Sequence, residues 1–261
     1  MSKQLRIWLF VLLGTLLTST SLPAEGVITL TTSKPVGSTI SMLIQANGDV
    51  SITGAREESK TNWGLGQYAI TSQTITIRGD VTKFDCSTEG YDDTNQLTSL
   101  EMSGCTALTE LICYHNQLTS LDVSGCTALT TLYCDVNQLT SLDLSKNTSL
   151  TKLSCIGNQL TSLDVSKNSA LTSLDCQGNS LTSLDLSMNN NFTKLNCKNN
   201  QLTSLDVLKN IDLTEFDCSY NQLTSLDVSK NTYLTEFDCS YNQLTSLDVS
   251  KNTTLKTLGC S

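Results

Sequence analysis

The amino-acid sequence predicts a repeat solenoid, mainly β and turn with little helix. Short strands stack into a parallel β-sheet on its concave face, and a small β-rich module caps its N-terminal end. Three observations predict it. Residues 213–233 read LTEFDCSYNQLTSLDVSKNTY, and residues 234–254 repeat them with only the last residue changed. The same frame recurs in steps of 21, starting at Phe192, Leu171, Leu150, Leu129 and Leu108, with a decayed copy from Val81 and a partial copy over residues 255–261. Finally, leucines hold fixed places in the frame although only 38% of the chain is hydrophobic. A unit of this length cannot bury its apolar face alone, so each repeat is one coil that is stable only when stacked on neighbours.

Counting each coil from its first leucine, positions 1, 4, 6, 11, 14 and 16 are apolar or Cys in nearly every copy. In the coil from Leu150 these are Leu150, Leu153, Cys155, Leu160, Leu163 and Val165, and they are expected to point inward. Each buried Leu or Val contributes on the order of 1.5–3 kcal/mol, which offsets much of the entropy cost of ordering the coil. Positions 3 to 7 alternate outward and inward, as a strand does, and coils stacked about 4.8 Å apart make a parallel sheet. The opposite side, LTSLDVS, lacks good helix formers and reads as extended or turn-like. The Asn at position 9 (Asn95, Asn116, Asn137, Asn158, Asn179, Asn200, Asn221 and Asn242) stands at a bend, where a buried amide can both donate to and accept from the backbone. The pattern LxxLxCxxNxL at this period is that of a leucine-rich-repeat solenoid.

Three regions follow. Residues 1–24 read as an export signal: Lys3 and Arg6, an apolar run over residues 7–17, then a small, polar stretch ending near Ala24. The run is shorter than the roughly 20 residues that span a bilayer, and no cysteine precedes Cys86 to carry a lipid. Residues 25–80 show period-two apolar patterning over 27–31, 39–44, 50–53 and 74–77, with Asn47-Gly48-Asp49 as a hairpin signal. Residues 55–66, including Trp63, read as a polar loop. This module is expected to cap the solenoid core; an independent binding domain is the alternative. Residues 81–261 form the solenoid of about eight coils. The last is incomplete, because the sequence stops inside a strand at Ser261, which fits a truncated reading frame with the final core uncovered.

Cys113, Cys134, Cys155, Cys176, Cys197, Cys218, Cys239 and Cys260 fall 21 apart at inward position 6, and Cys86 holds that place in the decayed coil. One thiol per coil, stacked in a column, fills a tight core as a small hydrophobe. A metal array needs ligands converging from several positions with spacings such as CxxC; the ladder has none, so no metal or other cofactor is expected. Nine stacked members cannot all pair, so the ladder thiols are expected to be free. Cys105 and Cys126 stand apart at position 19, where later coils carry Asn147, Asn168, Asn189, Asn210, Asn231 and Asn252. At one register in adjacent coils their Cα atoms lie about 5 Å apart, inside the disulfide range. The sequence therefore offers a Cys105–Cys126 bridge stapling the first two regular coils.

Outward positions 3, 5, 7 and 8 vary between coils and form the candidate binding surface. Ile112, Tyr114, His115, Tyr133 and Val136 read as an exposed apolar and aromatic cluster of the kind that marks protein contacts. Glu215, Asp217, Glu236 and Asp238, beside Tyr220 and Tyr241, read as an acidic cluster for a basic partner or a Ca²⁺ ion. The formal net charge is −9, and removing Lys3 and Arg6 with the signal makes it −11. Nucleic acids and anionic membranes, which need Lys/Arg patches, are excluded as partners. No enzyme is expected: His115 is the single histidine, and no GxSxG, HExxH or phosphate-binding glycine loop is present. The Asp at position 15 of each coil would stack like charges, which lysines at position 18 compensate.

The repeat LxxLxCxxNxLTSLDVSKNT resembles the cysteine-containing 21-residue leucine-rich repeats of internalin J-like surface proteins, and similar arrays occur in exported proteins of Bacteroidetes. The resemblance covers residues 81–261. It implies a secreted or cell-surface bacterial protein, used in adhesion or protein recognition, with an unpaired cysteine ladder in its core. The chain departs from that family in having no wall-anchoring motif, no membrane segment after the signal and no recognisable secretion domain. The sequence thus predicts a monomeric, exported binding protein whose partner is a protein, such as a host or cell-surface receptor, or a glycan. A structural spacer without its own ligand is the alternative, favoured by the near-identity of the coils from Leu213 and Leu234.

Overall fold

A computed structural model describes residues 25–60, 65–88 and 94–261. The expected export signal, residues 1–24, and Trp63 lie outside the described residues. Among those described, every helix or strand element is a strand. Six precede the repeats: β1 (Val27–Thr32), β2 (Thr39–Ala46), β3 (Ser51–Thr53), β4 (Ala55–Lys60), β5 (Gly66–Ile70) and β6 (Thr74–Arg78). The decayed first coil gives β7 (Val81–Asp85) and β8 (Leu97–Ser103). Each later coil gives one three-residue strand at positions 3 to 5: β9 (Glu110–Ile112), β10 (Thr131–Tyr133), β11 (Lys152–Ser154), β12 (Ser173–Asp175), β13 (Lys194–Asn196), β14 (Glu215–Asp217), β15 (Glu236–Asp238) and β16 (Thr257–Gly259).

Strands β7 and β9 to β16 pair in parallel, and from β9 onward each residue pairs with the one 21 away, so Leu153 meets Leu132 on one side and Leu174 on the other. Identical positions therefore stack in columns. Position 4 is the innermost column of the sheet, and its last two full members, Phe216 and Phe237, stack at 5.3 Å. The convex side of the regular coils is extended and turn-like, with no helix.

The residues before the repeat continue both sides of the first coil. β2 pairs antiparallel with β7, so the concave sheet runs on through β2, β5 and β4 to twelve strands. β1 pairs antiparallel with β8, the convex side of the first coil, in a four-stranded sheet ordered β3-β6-β1-β8. Ile28, Leu30, Ile40, Met42, Ile75 and Ile77 are fully buried between the sheets and merge with Phe84 and Leu108 of the solenoid core. The apolar end of the first coil thus packs against two sheets that its own strands help to form.

Two local expectations fail. Asn47-Gly48-Asp49 does not close a hairpin, because β2 pairs with β5 and β7 while β3 pairs with β6 in the other sheet. The turn carries the chain between sheets and is tied to the start of the repeats by Asn47 Nδ2, which donates to Asp80 Oδ2 at 2.8 Å. The polar stretch read as a loop begins with a strand, β4, the outer edge of the concave sheet, paired antiparallel with β5. Its Arg56, Glu57 and Glu58 are what an edge strand carries to discourage further pairing.

Two asparagine columns hold the turns. At position 9, Asn158 accepts the Leu139 N–H of the preceding coil on Oδ1 at 3.0 Å, while its Nδ2 donates to the carbonyls of Cys134 and Cys155, each at 3.1 Å. The same set recurs from Asn116 to Asn242. Asn95 begins the column by bonding the backbone N–H and C=O of Ser41 in β2, at 2.8 and 2.6 Å, so β2 stands where a preceding coil would be. At position 19, the buried Asn147, Asn168, Asn189, Asn231 and Asn252 each donate to two carbonyls of the coil before. On the convex turns, Asp143 accepts the Ser145 N–H at 2.8 Å, and this bond, more than Lys146, holds its carboxyl below the usual range. The same order of causes applies at Asp164, Asp227 and Asp248.

The cysteine column is buried from Cys86 to Cys239 and exposed at Cys260, and every cysteine is a free thiol. Burial pushes the thiols from Cys113 to Cys218 up, and that of Cys239 to about 11.

Because each buried polar group stripped of its partner costs about 1–3 kcal/mol, Asn158→Ala is expected to lower the unfolding free energy by at least ~2 kcal/mol. Urea unfolding followed by circular dichroism checks this; a stability equal to that of the parent chain would contradict it.

Candidate recognition face

The concave sheet presents positions 3 and 5 of each coil, and positions 7 and 8 follow at its border. In the first coils Lys83 pairs with Glu110 at 2.9 Å. Tyr114 meets His115 edge-on, with ring centroids 5.5 Å apart and planes at 84°. Tyr114, His115 and Tyr133 are half-buried and Val136 is exposed, but Ile112 is only 9% exposed. The expected exposed cluster therefore loses Ile112, which lies between Asp85 and Tyr133 on the adjoining strands and is covered between them.

In the middle coils the polar side chains bind one another. Asp135 accepts from Ser154 Oγ at 2.5 Å and from the Ile156 N–H at 2.8 Å; burial raises its carboxyl pKa, and these bonds oppose the rise. Burial likewise raises Asp175, which accepts from the Gln177 N–H and from Asn196 Nδ2.

Toward the C-terminal coils the face becomes charged and aromatic. Glu215 and Asp217 do not form an unbroken acidic cluster with Glu236 and Asp238, because Lys194 sits 2.6 Å from Glu215 and Lys198 sits 3.9 Å from Asp217. Among the described residues Glu236 and Asp238 make no ion pair, and no three His, Cys, Asp or Glu side chains converge as a metal site. Lys198 Nζ also lies 5.4 Å from the centre of the Tyr220 ring, and Tyr220 stacks on Tyr241 at 4.2 Å with the planes 19° apart. A groove of about 400 Å³ crosses β12 to β16 below them, with Asp175, Asn196, Asp217 and Asp238 along it.

Position 8 has a property that the sequence alone did not reveal. Its backbone is left-handed in every regular coil: His115, Val136, Asn199, Tyr220 and Tyr241 have φ between 50° and 55°, and Gly157 and Gly178 have 61° and 67°. For a residue with a Cβ this conformation costs roughly 1–2 kcal/mol, and a β-branched one such as Val136 is an outlier there. Gly157 and Gly178, in register with Tyr220, were the available signal. Tyr220 and Tyr241 are nonetheless 45% and 60% exposed, so core packing does not explain their retention.

The coil geometry is also that of known proteins. A family model described as Leucine Rich repeats (2 copies) matches residues 106–147. The crystal structure of internalin C2 from Listeria monocytogenes has the same fold, with a TM-score of 0.62 and 22% identity over 69% of this chain and 81% of that one. The chain has a leucine-rich-repeat fold. The functional domain of InlJ from Listeria monocytogenes, which includes a cysteine ladder, is 37% identical to this protein over 74% of its chain and 52% of the InlJ chain, at a TM-score of 0.44. The internalin inlF from the same organism is 24% identical over 59% and 48% of the two chains, at a TM-score of 0.54. The protein thus spans about half the length of these last two chains. No curated protein sequence matches it.

Glycine removes the cost of a left-handed backbone, so Tyr220→Gly with Tyr241→Gly is expected to leave thermal stability unchanged or raised despite the loss of a stacked pair. A fall in melting temperature of several degrees would show instead that the rings hold the coil together.

Proposed function

We propose that this protein is exported from a bacterial cell as a monomer and recognises another protein through the concave face of its sheet. The observation that carries this reading is the Tyr220–Tyr241 pair, two large exposed rings stacked where glycine would cost the backbone less. Rigid aromatic side chains give large contact area at little entropy cost and are frequent binding hot spots. Lys194, Glu215, Lys198, Asp217, Glu236 and Asp238 surround the pair with both signs of charge, which orients a charged partner more than it adds affinity. Tyr114, His115 and Tyr133 offer a second contact area on the same face.

A protein partner is favoured over a glycan because the polar groups of the face are already bonded to one another, as in Asp135–Ser154, Asp175–Asn196 and Lys194–Glu215. Few remain for sugar hydroxyls. The spacer reading keeps one supporting observation, the near-identity of the coils from Leu213 and Leu234. A spacer, however, has no use for tyrosines in a left-handed backbone. Export rests on the sequence of residues 1–24; no helix among the described residues is long and apolar enough to cross a membrane.

The test sets the chain lacking residues 1–24 against an array of extracellular proteins and a glycan array, beside the Tyr220→Gly, Tyr241→Gly double variant. Binding to a protein is expected, weakened about tenfold or more in the variant, and a chain recovered from the medium should begin at Glu25. Binding to glycans alone, or equal affinity of parent and variant, would overturn the reading.

A further inference from the structure

We propose that Met102, Cys105 and Cys126 form a binding site for a soft monovalent metal ion of the Cu(I) or Ag(I) class, at the joint between the cap and the first regular coils. Three sulfur atoms converge there. Cys126 Sγ lies 3.7 Å from Met102 Sδ, Cys105 holds the same register in the preceding coil, where Gly125 beside Cys126 stacks on Gly104 beside Cys105, and all three side chains are buried. Met102 comes from the end of β8. Cys105 is held against the cap by a contact of 3.5 Å from its thiol to the Val27 carbonyl oxygen of β1.

Geometry and ligand chemistry agree. A metal–thiolate bond of about 2.3 Å places the sulfur atoms of a trigonal set about 4 Å apart, close to the Met102–Cys126 separation. Thiolate and thioether together select Cu(I) over harder ions. On binding, the two S–H bonds break, two protons pass to solvent and two metal–thiolate bonds form with Met102 as neutral third ligand; no electron is transferred. Met102 also lines a surface cleft of about 380 Å³, where Glu101 and Asp122 place two carboxylates that attract a cation.

The ladder cysteines lack this arrangement. The thiols of Cys86, Cys134, Cys176 and Cys239 point to backbone carbonyl oxygens of the next coil, as Cys134 does to Ser154 at 3.4 Å. Position 19 elsewhere holds asparagines that donate to carbonyls of the preceding coil. The first two coils give up those bonds, and they are the coils that bring two thiols beside a thioether.

The experiment titrates the reduced full-length chain with Ag(I), and with Cu(I) supplied as its acetonitrile complex, and reads stoichiometry by native mass spectrometry and ligand type by X-ray absorption. One tightly held ion with three sulfur neighbours is expected, lost in Cys126→Ser, weakened at least tenfold with two sulfur neighbours in Met102→Leu, and kept in the ladder variant Cys155→Ser, with circular dichroism verifying that each variant is folded. Four outcomes would overturn the site: no ion held at one equivalent, undiminished binding by folded Cys126→Ser, three sulfur neighbours persisting in Met102→Leu, or recovery of Cys105 and Cys126 as a disulfide-linked peptide from the metal-treated chain.

Discussion

The asparagine at position 9 is the constraint on which the solenoid depends. A sharp bend turns backbone N–H and C=O groups inward, where water cannot reach them, and each such group must find a partner. One amide satisfies groups of two coils at once: Asn137 accepts the N–H of Leu118 and donates to the carbonyls of Cys113 and Cys134. These partners lie at fixed distances along the chain, so adding or deleting one residue within a coil would break the set. The period is therefore held at 21 throughout the regular array, and the columns of Leu, Cys and Phe follow from it. The one irregular coil supports the point, since Asn95 still reaches the Cys86 carbonyl, nine residues back rather than three, and takes its other partners from Ser41 of the cap.

Such a scaffold leaves little of each coil free. Positions 1, 4, 6, 11, 14 and 16 fill the core, positions 9 and 19 satisfy the turns, and position 15 accepts a hydrogen bond on the convex side. What remains is a narrow row at positions 3, 5, 7 and 8, and even there a side chain can be lost to its neighbours, as Ile112 is between Asp85 and Tyr133. At position 8 the backbone is left-handed, and Val136, Tyr220 and Tyr241 are exposed there. Tyr220 and Tyr241 occupy it at a conformational cost that Gly157 and Gly178 avoid. The surface chemistry of this protein is thus concentrated at the places where its backbone is least relaxed.

The repeat frame, the inward columns and the asparagine bend were legible in the sequence because periodicity reports them directly. Features that depend on which coil meets which were not. The ion pairs of Lys194 and Lys198 with Glu215 and Asp217 join residues 21 and 19 apart, so reading one coil at a time made the carboxylates look like a free acidic cluster. In the cap, the Asn47-Gly48-Asp49 turn carries a hairpin composition, yet the strands beside it join different sheets, because β2 and β1 are taken up by opposite sides of the first coil. β4 escaped notice since an edge strand needs only backbone pairing, and its side chains carry the charge that hides the alternation. Met102 occupies the place that Val123 holds in the next coil, and its nearness to Cys126 emerges only when the two coils are stacked.

The central claim, that the asparagine column rather than the apolar columns alone fixes the coils, is tested most directly by hydrogen exchange at the leucine amides bonded to it. The N–H groups of Leu118, Leu139, Leu160, Leu181 and Leu202 lie outside the strands, each bonded to an asparagine Oδ1 at 3.0 Å. They are predicted to exchange as slowly as the amides of β10 to β13, through the same cooperative opening. Exchange of these leucine amides on the fast timescale of exposed turns, while the strands stay protected, would contradict the account.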